Sequence, residues 1–225
     1  MKTRGTLLLP LFILAFAARG GTAVEKMRDM LGHSSDFLKA GRYAEALKLD
    51  ETVLREMGEY YVSGTATTQF FTIAVVHKAL ALAGLGRNDD ALWEWHTAIS
   101  LYPAVERSDM SEYGAAGVFL TQHPPAPPDP ISNGARVTPA SVKKRVEPKF
   151  PSQSVNARVE GPIQIEVIIG RDGKPRAPRV IDTIGAPILG YATAEALREW
   201  RFEPATVDGT AVEQPMRITM QYRVR

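Results

Sequence analysis

The sequence predicts an α+β protein. Helical repeats fill residues 24–120, and a small domain of antiparallel strands packed on a helix fills residues 141–225. Three observations carry this reading. Two stretches upstream read as copies of one helix-turn-helix pattern. The C-terminal part alternates apolar and polar residues with a period of two on both sides of one amphipathic segment. Between them, Gln122–Pro130 reads QHPPAPPDP, which predicts an extended spacer over residues 121–140 at about 3.1 Å per residue.

The chain has 225 residues, enough for one or two domains. Hydrophobic residues make up 44% and charged residues 23%, so a packed core needs no disulfide or metal staple. There is no cysteine, which excludes thiol chemistry, Cys-ligated zinc and disulfide frameworks together. The net charge of +2 is too small to point to nucleic acid. It is unevenly spread: residues 24–140 hold 10 Lys and Arg against 15 Asp and Glu, and residues 141–225 hold 14 against 10.

Residues 1–23 read as a secretory signal peptide. Lys2 and Arg4 precede the uncharged run Thr6–Ala18, and small residues follow to Gly21-Thr22-Ala23. The predicted cut follows Ala23, with Ala15-Phe16-Ala17 an earlier alternative. Retention as a membrane anchor is the other reading, but a spanning helix takes about 20 apolar residues. This run is shorter and holds Pro10.

The two copies are FLKAGRYAEALKL at Phe37–Leu49 and LALAGLGRNDDALWEW at Leu80–Trp95. Each pairs a helix end with a Gly-Arg turn and a second helix that opens on an acid followed by Ala-Leu. Gly41 and Gly86 suit the left-handed residue that closes a helix. Ala46 and Ala91 follow where a small side chain lets two antiparallel helices approach. On Gly86, Ala91, Trp95, Ala98 and Pro103 the second copy resembles a tetratricopeptide repeat, whereas the first has Asp50 in place of the aromatic. The copies lie farther apart than the usual spacing of about 34 residues, and the stretch 58–68 accounts for the excess. Trp95 is expected in the core and Trp93 on the surface. A closing helix is expected near Asp109–Leu120.

In the C-terminal part, Ile163, Ile165, Val167 and Ile169 alternate with polar residues as in a half-buried strand. Asp172-Gly173 is a hairpin signal, and Arg179–Asp182 fits the returning strand. Pro175 and Pro178 suggest an exposed edge at its start. Leu189, Thr193, Ala196 and Trp200 share a helix face that Pro204 is expected to end. After a turn at Asp208-Gly209, the residues Met216, Ile218, Met220, Tyr222 and Val224 alternate with Arg217, Thr219, Gln221 and Arg223. This is a strand with one dry face and one wet, basic face.

No enzyme signature is present. His33, His77, His96 and His123 have no metal-ligand spacing. There is no nucleophile elbow, phosphate loop or dinucleotide fingerprint. Asp89-Asp90 opens a helix, where acids favour the dipole. No catalytic residue, metal, cofactor, nucleic-acid partner or small-molecule substrate is expected.

Four pieces in order resemble the C-terminal domain of the TonB family. Glu147-Pro148-Lys149-Phe150-Pro151 is similar to its opening, and Ala157–Gly161 to the lead-in of its first strand. Asp172-Gly173 is similar to its hairpin. Trp200-Arg201-Phe202-Glu203-Pro204-Ala205 is similar to its most distinctive element. The resemblance covers about residues 141–225. It implies a periplasmic protein that docks an outer-membrane TonB-dependent receptor, or another envelope protein, by adding a receptor segment as a strand. The accepting edge it implies is Met216–Val224. Phe150, Pro151, Gly161, Asp172, Gly173, Trp200, Phe202 and Pro204 are expected to be structural or contact positions. In some members the residue after the first-strand glycine also contacts the partner. Here it is Pro162, without an N–H.

The family's energy transducers carry a serine and a histidine in an N-terminal membrane helix, and Thr6–Ala18 has neither. This departure suggests a chain that binds a receptor without itself delivering force, although a part in energised transport follows from the family. The alternative reading is a periplasmic adaptor in which the repeats hold one envelope protein and the sheet domain pairs with another, or with a second copy of itself.

Overall fold

The computed structural model describes residues 22–59, 65–129, 136–150, 160–183 and 187–223. Residues 1–21 of the expected signal peptide, Pro151, the lead-in at 157–159 and Val224 lie outside them, while Thr22 and Ala23 are helical. The protein mixes helix with antiparallel sheet, as an α+β reading requires, and divides into two compact units, the helical one ending at Pro124 and the mixed one continuing from Pro125.

The helical unit begins with α1 (Thr22–Lys39), α2 (Tyr43–Glu59), α3 (Thr65–Gly84) and α4 (Asn88–Leu101). The turns α1–α2 and α3–α4 close in the same way. Gly41 and Gly86 have φ of 72° and 73°. The N–H of Arg42 bonds the carbonyl of Phe37, and that of Arg87 bonds the carbonyl of Leu82, at 2.8 and 2.9 Å. These six-residue closures satisfy carbonyls that a helix end otherwise leaves open. Ala46 and Ala91 are fully buried at the matching places. The Tyr43 ring lies where a Cβ on Gly84 would stand, 2.4 Å away, so α3 can end against the start of α2 only with glycine there.

Helix α3 is apolar nearly all round, which suits an element covered on more than one side. Short 3-10 turns at Pro103–Arg107 and Ser111–Tyr113 lead into α5 (Gly114–Gln122), the expected closing helix. Helix α5 packs on α4. This corrects the expectation for Trp93, which is 4% exposed and as much a core residue as Trp95 at 1%. A helix covered from two directions buries both residues of an i, i+2 pair.

The mixed unit is built on a sheet ordered β4-β3-β8. Its strands are β3 (Gly161–Ile169), β4 (Pro175–Asp182) and β8 (Gln214–Tyr222). Helix α6 (Pro187–Arg198) packs on β3 and β4. Ile163, Ile165, Val167, Ile169, Leu189, Ala194 and Leu197 form the core, each 1% exposed or less. Strand β4 starts at Pro175, earlier than expected, and Pro178 is inside it. The strand tolerates both prolines at the sheet edge, where its register shifts opposite Glu166–Ile168 and Ala177 takes a φ of 47°.

Short strands frame this sheet. β1 (Val137–Thr138) pairs with β6 (Ala205–Val207), which pairs with β7 (Thr210–Val212) through the expected turn at Asp208-Gly209. β2 (Ser141–Lys144) pairs with β5 (Arg201–Glu203). Strand β1 lies within the stretch predicted as spacer. The expectation that the last helix runs on to Pro204 is corrected: α6 ends at Arg198, and Trp200 lies beyond it. Backbone bonds from Glu199 to Ala196 and from Trp200 to Leu197 tighten the helix end. The pairing of β5 with β2 then draws the chain straight.

Candidate functional site

Strand β8 pairs with β3 along its whole length, from Gln214 opposite Ile169 to Tyr222 opposite Gly161. Among the described residues its other side carries no strand. Ile218 and Tyr222 are buried, Met216 and Met220 half-buried, while Arg217, Thr219, Gln221 and Arg223 are exposed. The alternation read from the sequence is the alternation of the fold.

Two prolines settle which backbone groups face the open side. Pro215 lies opposite Ile168, and Pro162 opposite Gln221. Proline has no N–H and fits a ladder only where the N–H would point away from the partner strand. Both are even steps apart in one register, so they agree. Arg217, Thr219 and Gln221 share the parity of Pro215 and point their N–H and C=O groups to the open edge. Met216, Ile218, Met220 and Tyr222 point theirs at β3. The side-chain contact between Arg217 and Glu166 at 2.6 Å fits this, since opposed residues that exchange no backbone bonds lie closer together.

The wet face is held by an ion ladder across three strands. Glu166 on β3 accepts from Arg217 on β8 and from Arg179 on β4. The Arg217 guanidinium, with help from Arg179, holds the Glu166 carboxyl below its usual range. Arg176 and Glu213 pair nearby, and Arg176 lowers Glu213 in the same way.

The other motif residues are brought together beneath and beside this edge. Phe150 meets Tyr222 edge-on at 4.7 Å between ring centres, clamping the end of β8. Trp200 and Phe202 are buried, with ring centres 6.0 Å apart. The Trp200 indole donates to the carbonyl of Val146 at 2.8 Å, and the Arg145 guanidinium lies 5.3 Å from its ring centre. Asp172 accepts from the N–H of Lys174 at 3.0 Å and caps the hairpin. Gly173, at φ +75°, accepts from the N–H of Phe202 at 2.9 Å. Pro204 is half-buried between β5 and β6, and Gly161 opens β3 with a φ of 148°. Asp172, Gly173, Trp200 and Phe202 thus build the domain and do not face the open edge.

Sequence reasoning missed β2 and Ala140. The Ala140 N–H donates to the Gln214 side chain at 2.8 Å, anchoring the first residue of β8. Ser141–Lys144 reads SVKK and carries no alternation that could have signalled the strand. Among the described residues no group of acids and histidines is placed to hold a metal, and no helix is long and apolar enough to cross a membrane.

Comparison with known proteins agrees with the geometry. Residues 146–224 match the family model described as Gram-negative bacterial TonB protein C-terminal. A stretch of 86 residues is 24% identical to Protein TonB of Vibrio cholerae serotype O1 (strain ATCC 39315 / El Tor Inaba N16961). It covers 38% of this chain and 35% of that protein, so the likeness spans about a third of the relative's length. The family match takes in all four motif pieces read from the sequence: residues 146–224 of this chain are a TonB C-terminal domain.

Proposed function

We propose that this TonB-family chain works outside the cytoplasm, in the periplasm, and captures a short extended segment of an outer-membrane transporter as a fourth strand on β8. The observation that carries this is the open edge, where Arg217, Thr219 and Gln221 offer backbone donors and acceptors in a regular row. Backbone bonds to such a row give affinity with little demand on side chains. Pro215 offers no donor and marks where the added strand stops. Long, exposed edges invite unwanted pairing, and β4 blunts its own with prolines and a bulge. Strand β8 lacks that protection over Arg217–Arg223, as an edge kept for a partner would. No step of the binding requires catalysis.

The test is to titrate the isotope-labelled chain with extended peptides from outer-membrane transporters and follow amide shifts. Shifts centred on Arg217–Arg223 are expected. Thr219→Pro should abolish them while leaving the β3 pairing intact, because the lost N–H faces the open edge. A folded chain whose β8 amides respond to none of the peptides rules the reading out.

A second reading rests on the helical unit. Its two hairpins close through the same glycine geometry and bury the same alanine, as tetratricopeptide-like repeats do. On this reading the unit holds another envelope protein and the chain is an adaptor. Capture of a partner that survives Thr219→Pro would favour it.

A further inference from the structure

The helical core contains a polar cluster that neither reading uses. Asp50 on α2 is fully buried, Ser34 on α1 is fully buried, and His77 on α3 is 6% exposed. Asp50 sits at the same distance after Gly41 as Trp95 after Gly86, so one repeat has a carboxyl where the other has a core aromatic. The nearest Asp50 oxygen is 3.7 Å from His77 Nδ1, beyond hydrogen-bond length. Both Asp50 carboxyl oxygens, His77 Nδ1 and Ser34 Oγ lack a direct hydrogen bond within the described protein.

The groups around the cluster come from every element that packs there. Helix α1 contributes Ser34, and α3 contributes His77. On α2, Glu51 is next to Asp50 and of like charge. From the 3-10 turn at Ser111–Tyr113, the Tyr113 ring lies 6.2 Å from the His77 ring, its hydroxyl 3.2 Å from Ser35 Oγ. Lys39 and Glu112 pair with each other at 3.0 Å. Lys78 is engaged by Glu94 of α4 at 2.5 Å. Of the groups acting on Asp50, only His77 can bring a compensating positive charge, and it stands off. A buried carboxylate without a donor or a close cation is costly, whereas the neutral acid is tolerable and can itself donate.

We propose that Asp50, His77 and Ser34 form a proton-operated latch at the junction of α1, α2 and α3. With a proton on Asp50 no carboxylate is left at this junction and the first hairpin is held closed on α3. Loss of that proton leaves a carboxylate in the helical core and loosens the junction. Burial, the largest influence on Asp50, pushes its carboxyl above the ordinary value of 3.8, against the smaller opposing pull of His77 and Ser34. The sign follows. Between the unfolded and folded ionisation ranges the folded chain holds a proton that the unfolded chain has released. Stability is therefore full below the unfolded value and falls as pH rises toward the folded one. An ion-paired carboxylate would give the opposite slope.

Two measurements on the full chain test this. The first follows the side-chain carboxyl carbon of Asp50 by NMR across pH. The latch requires it to stay protonated at a pH where exposed aspartates have ionised. An Asp50 already ionised there overturns the proposal. The second follows urea unfolding by far-ultraviolet circular dichroism, which reports mainly on the helices. The wild-type unfolding equilibrium should rise by up to about tenfold per pH unit through the Asp50 transition. Asp50→Asn, a neutral mimic of the acid, should flatten that slope and match or exceed the wild type above it. A wild-type minus Asp50→Asn midpoint difference that increases with pH, or an Asp50→Asn chain with the wild-type slope, overturns the latch. If Asp50→Asn does not fold, the wild-type carboxyl titration decides alone.

Discussion

The Phe202 N–H donates to the Gly173 carbonyl at 2.9 Å, and the Phe202 carbonyl lies 2.1 Å from where a Cβ on residue 173 would stand. The hairpin between β3 and β4 is thereby locked against the strand that follows the last helix. Two sequence motifs that looked separate are one contact. Gly173→Ala meets both a φ of +75° and a backbone oxygen that cannot swing away. The clash should add about 1–3 kcal/mol to the backbone cost, as overpacking against a rigid neighbour does. Gly209→Ala is the control. Its φ is +84° but nothing lies within 4 Å, so only the backbone cost of about 1–2 kcal/mol applies. Thermal unfolding of the two variants should place Gly173→Ala lower.

Much of this fold was legible because its periods are local. The alternation of Ile163 to Ile169 and of Met216 to Tyr222 fixes both strands and their dry faces. The Gly41 and Gly86 turns follow from a single residue's freedom. Other features required knowing what lies across. Trp93 looked free because a helix read alone has an outer face, yet it is buried in a helix against which α5 packs. Trp200 fitted a helix face by spacing, yet the pairing of β5 with β2 pulls the chain out of the helix. The open edge was placed by resemblance. Its donors were identified only when the register set Pro162 opposite Gln221 and Pro215 opposite Ile168.

The ladder Arg179–Glu166–Arg217 should matter little for stability. Both guanidiniums are more than half exposed, and such pairs contribute about 0–1 kcal/mol. Glu166→Gln should therefore shift the unfolding midpoint only slightly, and less still in high salt. Its pH signature is more specific. Because Arg217 holds the Glu166 carboxyl low, that small contribution is present above the usual carboxylate range. It fades as pH falls through the lowered value. A wild-type minus Glu166→Gln difference that instead grew on acidification would contradict the ladder.

Phe150 ties the segment before β3 to the end of the open strand. Its ring meets Tyr222 at 4.7 Å. Phe150→Ala removes an aromatic pair worth about 0.5–1.5 kcal/mol beyond its buried area. The nearest loss should appear as faster amide exchange at Met220–Tyr222 than at Met216. Equal exchange along β8 in the variant would show that the clamp does not order that end.

Lys78 and Glu94 offer the largest single-residue effect. They meet at 2.5 Å between α3 and α4, with side-chain exposures of 10% and 0%. A buried pair can be worth little against an apolar replacement, because both charges lose their water. Removing one partner is different, since it strands the other charge in the core, at a cost of about 3–5 kcal/mol. Lys78→Met alone, or Glu94→Leu alone, should therefore destabilise the helical unit strongly. The double variant should recover most of the loss, as urea unfolding of the four chains would measure. The two losses would add if the side chains acted independently. Strong recovery would instead show that the pair sets how α3 and α4 seat on one another more than how tightly they hold. That is the role expected of a charge placed inside a helix that is otherwise apolar nearly all round.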